Sequence, residues 1–151
     1  MKKGFTLIEI MIAVFIMTFG IVSIYSLIVS VIQMTTNSAE RFIAGQLSRE
    51  GIELVRNRRD QNWMQEAEFS LGLFSCSSGC ERDFNDVDFI NYGDRFLKIN
   101  TNGFYNYDSG ENTIFKRRVT ITPQIDYLEV KVEVLWKDSS FVVRENIYDW
   151  E

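Results

Sequence analysis

The chain opens on an apolar run. From Phe5 to Ile32 the only strong acid or base is Glu9, so a helix through this stretch is apolar on every side. A bilayer core of about 30 Å needs about 20 helical residues, and the run is long enough to cross it. After Ile32 the continuous pattern gives way to an amphipathic one. Ile43, Leu47, Leu54 and, offset by one, Val55 recur at helical spacing, while Glu40, Arg41, Arg49, Glu50, Glu53 and Arg56 fall largely elsewhere. With no Pro to interrupt it, one helix is predicted from about Phe5 to about Asn57, near 80 Å at about 1.5 Å per residue. Gly20, Gly45 and Gly51 each weaken it by about 1 kcal/mol relative to Ala, and Gly20 marks a point in the membrane stretch where it can open.

From Gln65 to Asn112 the pattern breaks up. Gly72, Gly79, Gly93, Gly103 and Gly110 sit among Ser, Asn and Asp, which predicts loops with short strands, one of them at Phe96 to Ile99. The aromatics Phe84, Phe89, Tyr92, Phe104, Tyr105 and Tyr107 are expected to seal a core. From Phe115 a clean alternation sets in. Val119 and Ile121 alternate with Arg118, Thr120 and Thr122, and Leu128, Val130, Val132, Val134 and Trp136 alternate with Glu129, Lys131 and Glu133. Lys137 to Ser140 is expected as a loop and Phe141 to Trp150 as a last strand. The apolar face of this antiparallel sheet has its mate in the Ile43, Leu47, Leu54 face of the helix. The fold class is therefore α+β: a long N-terminal helical spine, half membrane-spanning and half amphipathic, packed against a C-terminal antiparallel β-sheet head.

Composition narrows the chemistry. A formal charge of −5 argues against a nucleic-acid binder by bulk charge, since phosphate recognition needs a basic face. The absence of His removes the commonest general base at neutral pH, and no Ser/Lys, Cys/base or paired-carboxylate arrangement stands out, so an enzyme is not expected. Cys76 and Cys80, in Cys-Ser-Ser-Gly-Cys, read as a small disulfide loop if the head lies outside the cytoplasm. Two free thiols are the reading for a reducing compartment; a zinc site lacks half its ligands. Asp83, Asn85, Asp86 and Asp88 form an oxygen-rich stretch of the kind that can hold calcium, but the spacing is not that of an EF-hand, and a solvated acidic turn is the default. No cofactor and no metal is expected. Arg56, Arg58 and Arg59 invite a nucleic-acid reading that nothing else supports; at a helix C-terminus they are more simply read as answering the helix dipole.

Glu9 is what a plain anchor leaves unexplained. A carboxylate at the centre of a bilayer helix costs about 2.5–3.5 kcal/mol, less near the interface. A cleaved secretory signal fits worse still, because its apolar core runs to about 15 residues at most. The stretch Lys2-Lys3-Gly4-Phe5-Thr6-Leu7-Ile8-Glu9 resembles the N-terminal methylation and cleavage motif of type IV prepilins and type II secretion pseudopilins. The resemblance implies cleavage by prepilin peptidase between Gly4 and Phe5 on the cytoplasmic side, methylation of the new Phe5 amine, and pairing of Glu9 with the N-terminal amine of a neighbouring subunit during assembly. Removing Lys2 and Lys3 takes the formal charge from −5 to −7. Pilins often carry a Pro along this helix, whereas the one Pro here is Pro123. The stretch from Gly45 to Trp63 is similar to the corresponding helix of PilV-like minor pilins.

The resemblance implies a division into a leader (1–4), a membrane and filament-core helix (5–32), its amphipathic continuation (33–62), a loop-rich region (63–112) and the sheet of the head (113–151). It also implies a single-pass protein of the cytoplasmic membrane with an extracytoplasmic head, placed on a cell-surface filament after assembly. Its partners are then the peptidase, the inner membrane, other pilin subunits and the pilus assembly platform. The function expected is that of a structural minor pilin modulating assembly, adhesion or DNA uptake. The alternatives are a pseudopilin of a type II secretion system and, from another class, a membrane-tethered binding module that never polymerises.

Overall fold

The computed structural model describes Gly4 and residues 6–149. One helix, α1 (Leu7–Met64), runs through two compact units, Met1–Glu40 and Arg41–Glu151. The helix is unbroken at Gly20, so the possible opening there is not realised in this conformation. It ends seven residues beyond the predicted Asn57, and the reason is a local backbone motif. Glu66 takes φ of 53°, its N–H bonds to the Trp63 carbonyl, and the Ala67 N–H bonds to the Asn62 carbonyl, which together satisfy the last turn. The buried Asn62 side chain donates to the carbonyls of Phe69 and Leu71 and holds the chain as it leaves the helix.

In the first unit every described side chain but the half-buried Glu40 is exposed, and the apolar ones cover all sides of the helix. Four of its hydroxyls are returned to the backbone. Thr18 bonds to the carbonyls of Val14 and Phe15, Ser23 to Phe19, Thr35 to Val31 and Thr36 to Ile32. That arrangement suits a bilayer interior, where a polar group finds no water to bond. This helix is long and apolar enough to cross a membrane.

The second unit carries a 3-10 turn (Phe74–Cys76) and eight strands: β1 (Cys80–Glu81), β2 (Ile90–Asn91), β3 (Lys98–Ile99), β4 (Tyr105–Asn106), β5 (Glu111–Asn112), β6 (Phe115–Pro123), β7 (Tyr127–Trp136) and β8 (Ser139–Tyr148). They form a five-stranded sheet in the order β2-β1-β6-β7-β8 and a small sheet in the order β4-β3-β5. The short strand expected at Phe96 to Ile99 is Lys98–Ile99, the centre of the small sheet. The loop expected at Lys137 to Ser140 is shorter: Trp136 pairs with Ser139, and Lys137 supplies the positive φ (49°) that a two-residue reversal requires. β8 closes at Tyr148, and Trp150 lies outside the described residues.

The alternation of β6 and β7 does place one face in the core. Ile52 and Val55 of α1 pack with Val119, Ile121, Val130 and Val132, while Ala44 and Leu47 pack with Leu97, Tyr107, Val134 and Trp136. Of the six aromatics expected to seal a core, Phe89 and Tyr107 are buried, but Phe84 and Phe104 are exposed and lie against each other with centroids 5.6 Å apart. Both stand outside the strands, so no sheet face turns them toward the core.

Gly51 sets how closely helix and sheet approach. A Cβ there would lie 2.7 Å and 3.1 Å from the two methyls of Val132, a buried residue on a central strand whose β-branched side chain is stiff at χ1. Gly51→Ala gains about 1 kcal/mol of helix propensity, but overpacking of this kind costs about 1–3 kcal/mol and is expected to win. Denaturant unfolding of the detergent-solubilised chain should show a lower midpoint for the variant, and an unchanged or higher one would show that the helix can lift off the sheet without penalty.

The outer face of β6 is strapped by residues 92–96. Lys116 reaches Asp94 at 2.6 Å and lies over the Phe96 ring, Tyr92 donates to Asp94 at 2.8 Å, and the Arg118 guanidinium sits over the Tyr92 ring while bonding Glu133. The Lys116 and Tyr92 hydrogen bonds hold the Asp94 carboxyl below its usual range, and the Arg118 bond does the same for Glu133. Both groups stabilise the fold above their unfolded values near about 4, and that contribution is lost as pH falls through the lower folded values. Tyr107 has the opposite sign. Burial pushes its phenol up to about 12, so its contribution is complete below the unfolded value of about 10 and is lost as pH climbs from there. Unfolding midpoints measured against pH should fall on both flanks, and Asp94→Asn should flatten the acid one; a midpoint at pH 3 equal to that at pH 6 would contradict the assignment.

Candidate functional site

The sequence-predicted site is built at the start of α1. Thr6 is the residue before the first helical turn and Glu9 is the third residue within it. The Thr6 N–H donates to Glu9 Oε2 at 3.0 Å, the Thr6 hydroxyl donates to the same oxygen at 3.0 Å, and the Glu9 N–H reaches back to the Thr6 hydroxyl at 3.4 Å. These bonds form a capping box, in which the two side chains satisfy each other's backbone donors at a helix end. The spacing Thr-Leu-Ile-Glu is the local signal for it. Glu9 thus has a partner within its own chain, and its carboxylate also stands at the positive end of the helix dipole.

Gly4 is exposed, and no atom lies within 4 Å of where a Cβ would stand. Nothing in the packing of this chain therefore requires a glycine at that position. Phe5, the expected methylation site and the other half of the expected cleavage bond, lies outside the described residues, as do Met1, Lys2 and Lys3.

In the head, Cys76 and Cys80 are joined by a disulfide, with Cα atoms 5.1 Å apart and both residues fully buried in the core. The acidic stretch is put to structural use. Asp83 is buried and its two oxygens accept from the backbone N–H groups of Asn85, Asp86 and Tyr107, at 2.8, 3.2 and 2.8 Å. Asp86 and Asp108 bring carboxylate oxygens within 4.8 Å of it, whereas Asp88 turns away to pair with Arg58 at 3.1 Å. The three arginines do not sit at the helix end, because α1 runs on to Met64 and its last turn holds no basic residue. Arg56 bonds Glu53 and Glu145, Arg58 bonds Asp88 and the Leu71 carbonyl, and Arg59 bonds Asp60. The dipole explanation is replaced by these ion pairs.

Arg117 was not foreseen. It is 0 % exposed, on the core face of β6 in phase with Phe115, Val119 and Ile121. Its guanidinium donates to the carbonyls of Leu47 at 3.3 Å and Arg82 at 2.7 Å and pairs with Glu50 at 3.1 Å, tying α1, β6 and the segment after β1 together. The alternation from Phe115 onward was the available signal, since it assigns position 117 to the inside whatever residue stands there.

No curated protein and no solved structure matches this chain. Residues 1–25 match the family model described as the prokaryotic N-terminal methylation motif. That match covers Lys2, Lys3, Gly4, Glu9 and most of the apolar stretch, and the helix-plus-antiparallel-sheet arrangement behind it has the layout of type IV pilins. The chain carries the N-terminal signature of type IV pilins and pseudopilins on a fold laid out as theirs.

Proposed function

We propose that this chain is a structural minor pilin. Prepilin peptidase cuts it between Gly4 and Phe5, the Phe5 amine is methylated, and the subunit enters a filament through the apolar half of α1, with Glu9 meeting the N-terminal amine of a neighbouring subunit. The observation that carries this reading is the methylation motif at the head of a helix that is apolar on every side except at one carboxylate. Gly4 supports it further: the fold makes no demand for glycine there, so a demand imposed by an enzyme that must approach the scissile backbone closely accounts for the residue. The resemblance of residues 45–63 to PilV-like subunits favours a minor over an abundant role. The segments 1–4, 5–32 and 33–62 act on this reading as leader, filament core and the spine of an extracytoplasmic head.

Deleting this one chain, scored in parallel for surface filaments, DNA uptake and protein secretion, tests the assignment. Loss or shortening of filaments with secretion intact is expected. Intact filaments with failed secretion would move the chain to a secretion pseudopilus. Gly4→Val should leave the leader in place, and a variant still cut at that bond would remove the peptidase from the account.

A further inference from the structure

We propose that the free edge of β8 is a docking strand for an extended acidic segment of another polypeptide. β8 is ten residues long, pairs with β7 along its whole length without a bulge, and among the described residues pairs with no strand on its other side. Long flat edges invite strand addition, and proteins usually blunt them with Pro, bulges or very short strands. The opposite edge of this sheet, β2, has two residues; β8 has neither a Pro nor a bulge. A cavity of about 380 Å³ runs beside its C-terminal half, lined by Arg56, Arg59, Glu145, Asn146, Ile147 and Tyr148, so there is room next to the edge.

The rows of side chains across the outer face specify the chemistry of the occupant. Thr120, Lys131 and Arg144 stand side by side on β6, β7 and β8, so two cations lie next to each other. Lys131 has Glu133 at 3.6 Å, whereas Arg144 is exposed and its side chain makes no hydrogen bond or ion pair with another described residue. A carboxylate in the next place of that row completes it. Two rows away, Tyr127 and Tyr148 stack at 5.4 Å, and Val142 is exposed on the other side of Arg144. The matching strand therefore alternates, with an aromatic residue, a small polar residue, an acid and an aliphatic residue on one face. A second copy of β8 paired antiparallel about Arg144 would set two guanidiniums opposite each other, which disfavours self-pairing in that register. Recognition of this kind takes affinity from backbone hydrogen bonds and selectivity from alternate side chains. It does not depend on the filament reading.

The test uses the full chain in detergent micelles and the synthetic peptide acetyl-Tyr-Val-Thr-Thr-Glu-Val-Val-amide, with its Glu-to-Lys counterpart and a scrambled sequence. The expected result is slowed amide exchange confined to residues 139–148, with the Glu peptide binding about threefold to fivefold more tightly than the Lys peptide. Arg144→Glu, a change at an exposed position beside Lys131 that should not disturb folding, is expected to reverse that preference. No protection of β8 by any peptide, or equal binding of the Glu and Lys peptides, would overturn the proposal. So would a concentration-dependent dimer that protects β8 without peptide, because it would assign the edge to a second copy.

Discussion

Glu9→Leu and Glu9→Gln will both enter the membrane, and both will be depleted from filaments, although only the first loses the acceptor of the Thr6 N–H. The structure makes this pair of variants informative. Glu9 closes a capping box with Thr6, and losing its carboxylate takes away the acceptor of the Thr6 N–H at the start of α1, worth about 0.5–1.5 kcal/mol. Leucine removes the acceptor for the Thr6 N–H and the charge together, whereas glutamine can accept the same backbone bond and removes the charge alone. If assembly rests on a carboxylate paired with a neighbour's terminal amine in low dielectric, removing one partner costs about 3–5 kcal/mol, which exceeds the cap. Filament incorporation, measured by quantitative immunoblotting of sheared filaments against membrane fractions, should then fall by more than roughly a hundredfold for both variants. Thr6→Val, which keeps the carboxylate and gives up the hydroxyl, should assemble nearly as well as the parent. Normal incorporation of Glu9→Gln would show that the residue serves as a cap and not as an ionic partner.

Arg117→Ala should cost the head about 3–5 kcal/mol, the largest single-residue effect expected outside the N-terminal segment. The side chain is fully buried, and its removal leaves the Arg82 carbonyl without its donor, Glu50 without its cation and a cavity beneath β6. Arg117→Lys should recover only part of this, because one ammonium cannot reach two carbonyls and a carboxylate in the planar geometry of the guanidinium. Arg117→Met is the instructive comparison. It keeps volume and gives up the polar contacts, so its loss reports the hydrogen bonds apart from the cavity. Denaturant unfolding followed by tryptophan emission reads all three, and an alanine variant within about 1 kcal/mol of the parent would mean that water takes over the role of the guanidinium.

What could be read in advance depended on whether the determining residues lie close together in sequence. The apolar stretch, the methylation motif and the capping box all fall within a few residues of one another, and Thr6 to Glu9 needed only three positions. The alternation at Leu128 to Trp136 likewise fixes a strand and its buried face locally. Arg117 shows the opposite case. Its partners Arg82 and Leu47 stand 35 and 70 positions away, so the pattern gives its placement inside but not what makes that placement tolerable. The helix terminus was missed because its left-handed residue is Glu66, where sequence reasoning looks for Gly or Asn. Gly51 was legible as a weak helix former, yet its purpose depends on Val132 across the core. The shortened turn at Lys137 follows the same logic, since the pairing of Trp136 with Ser139 outweighs the loop-like composition of the segment.

The function proposed here stands on what happens at the bond after Gly4, so the mass of the mature chain's N-terminal peptide, isolated from the native membrane or filament, tests it most directly. A peptide beginning at an N-methylated Phe5, with Met1 to Gly4 absent, is the expected result. A mature chain that still begins at Met1, or one cut elsewhere, would contradict it.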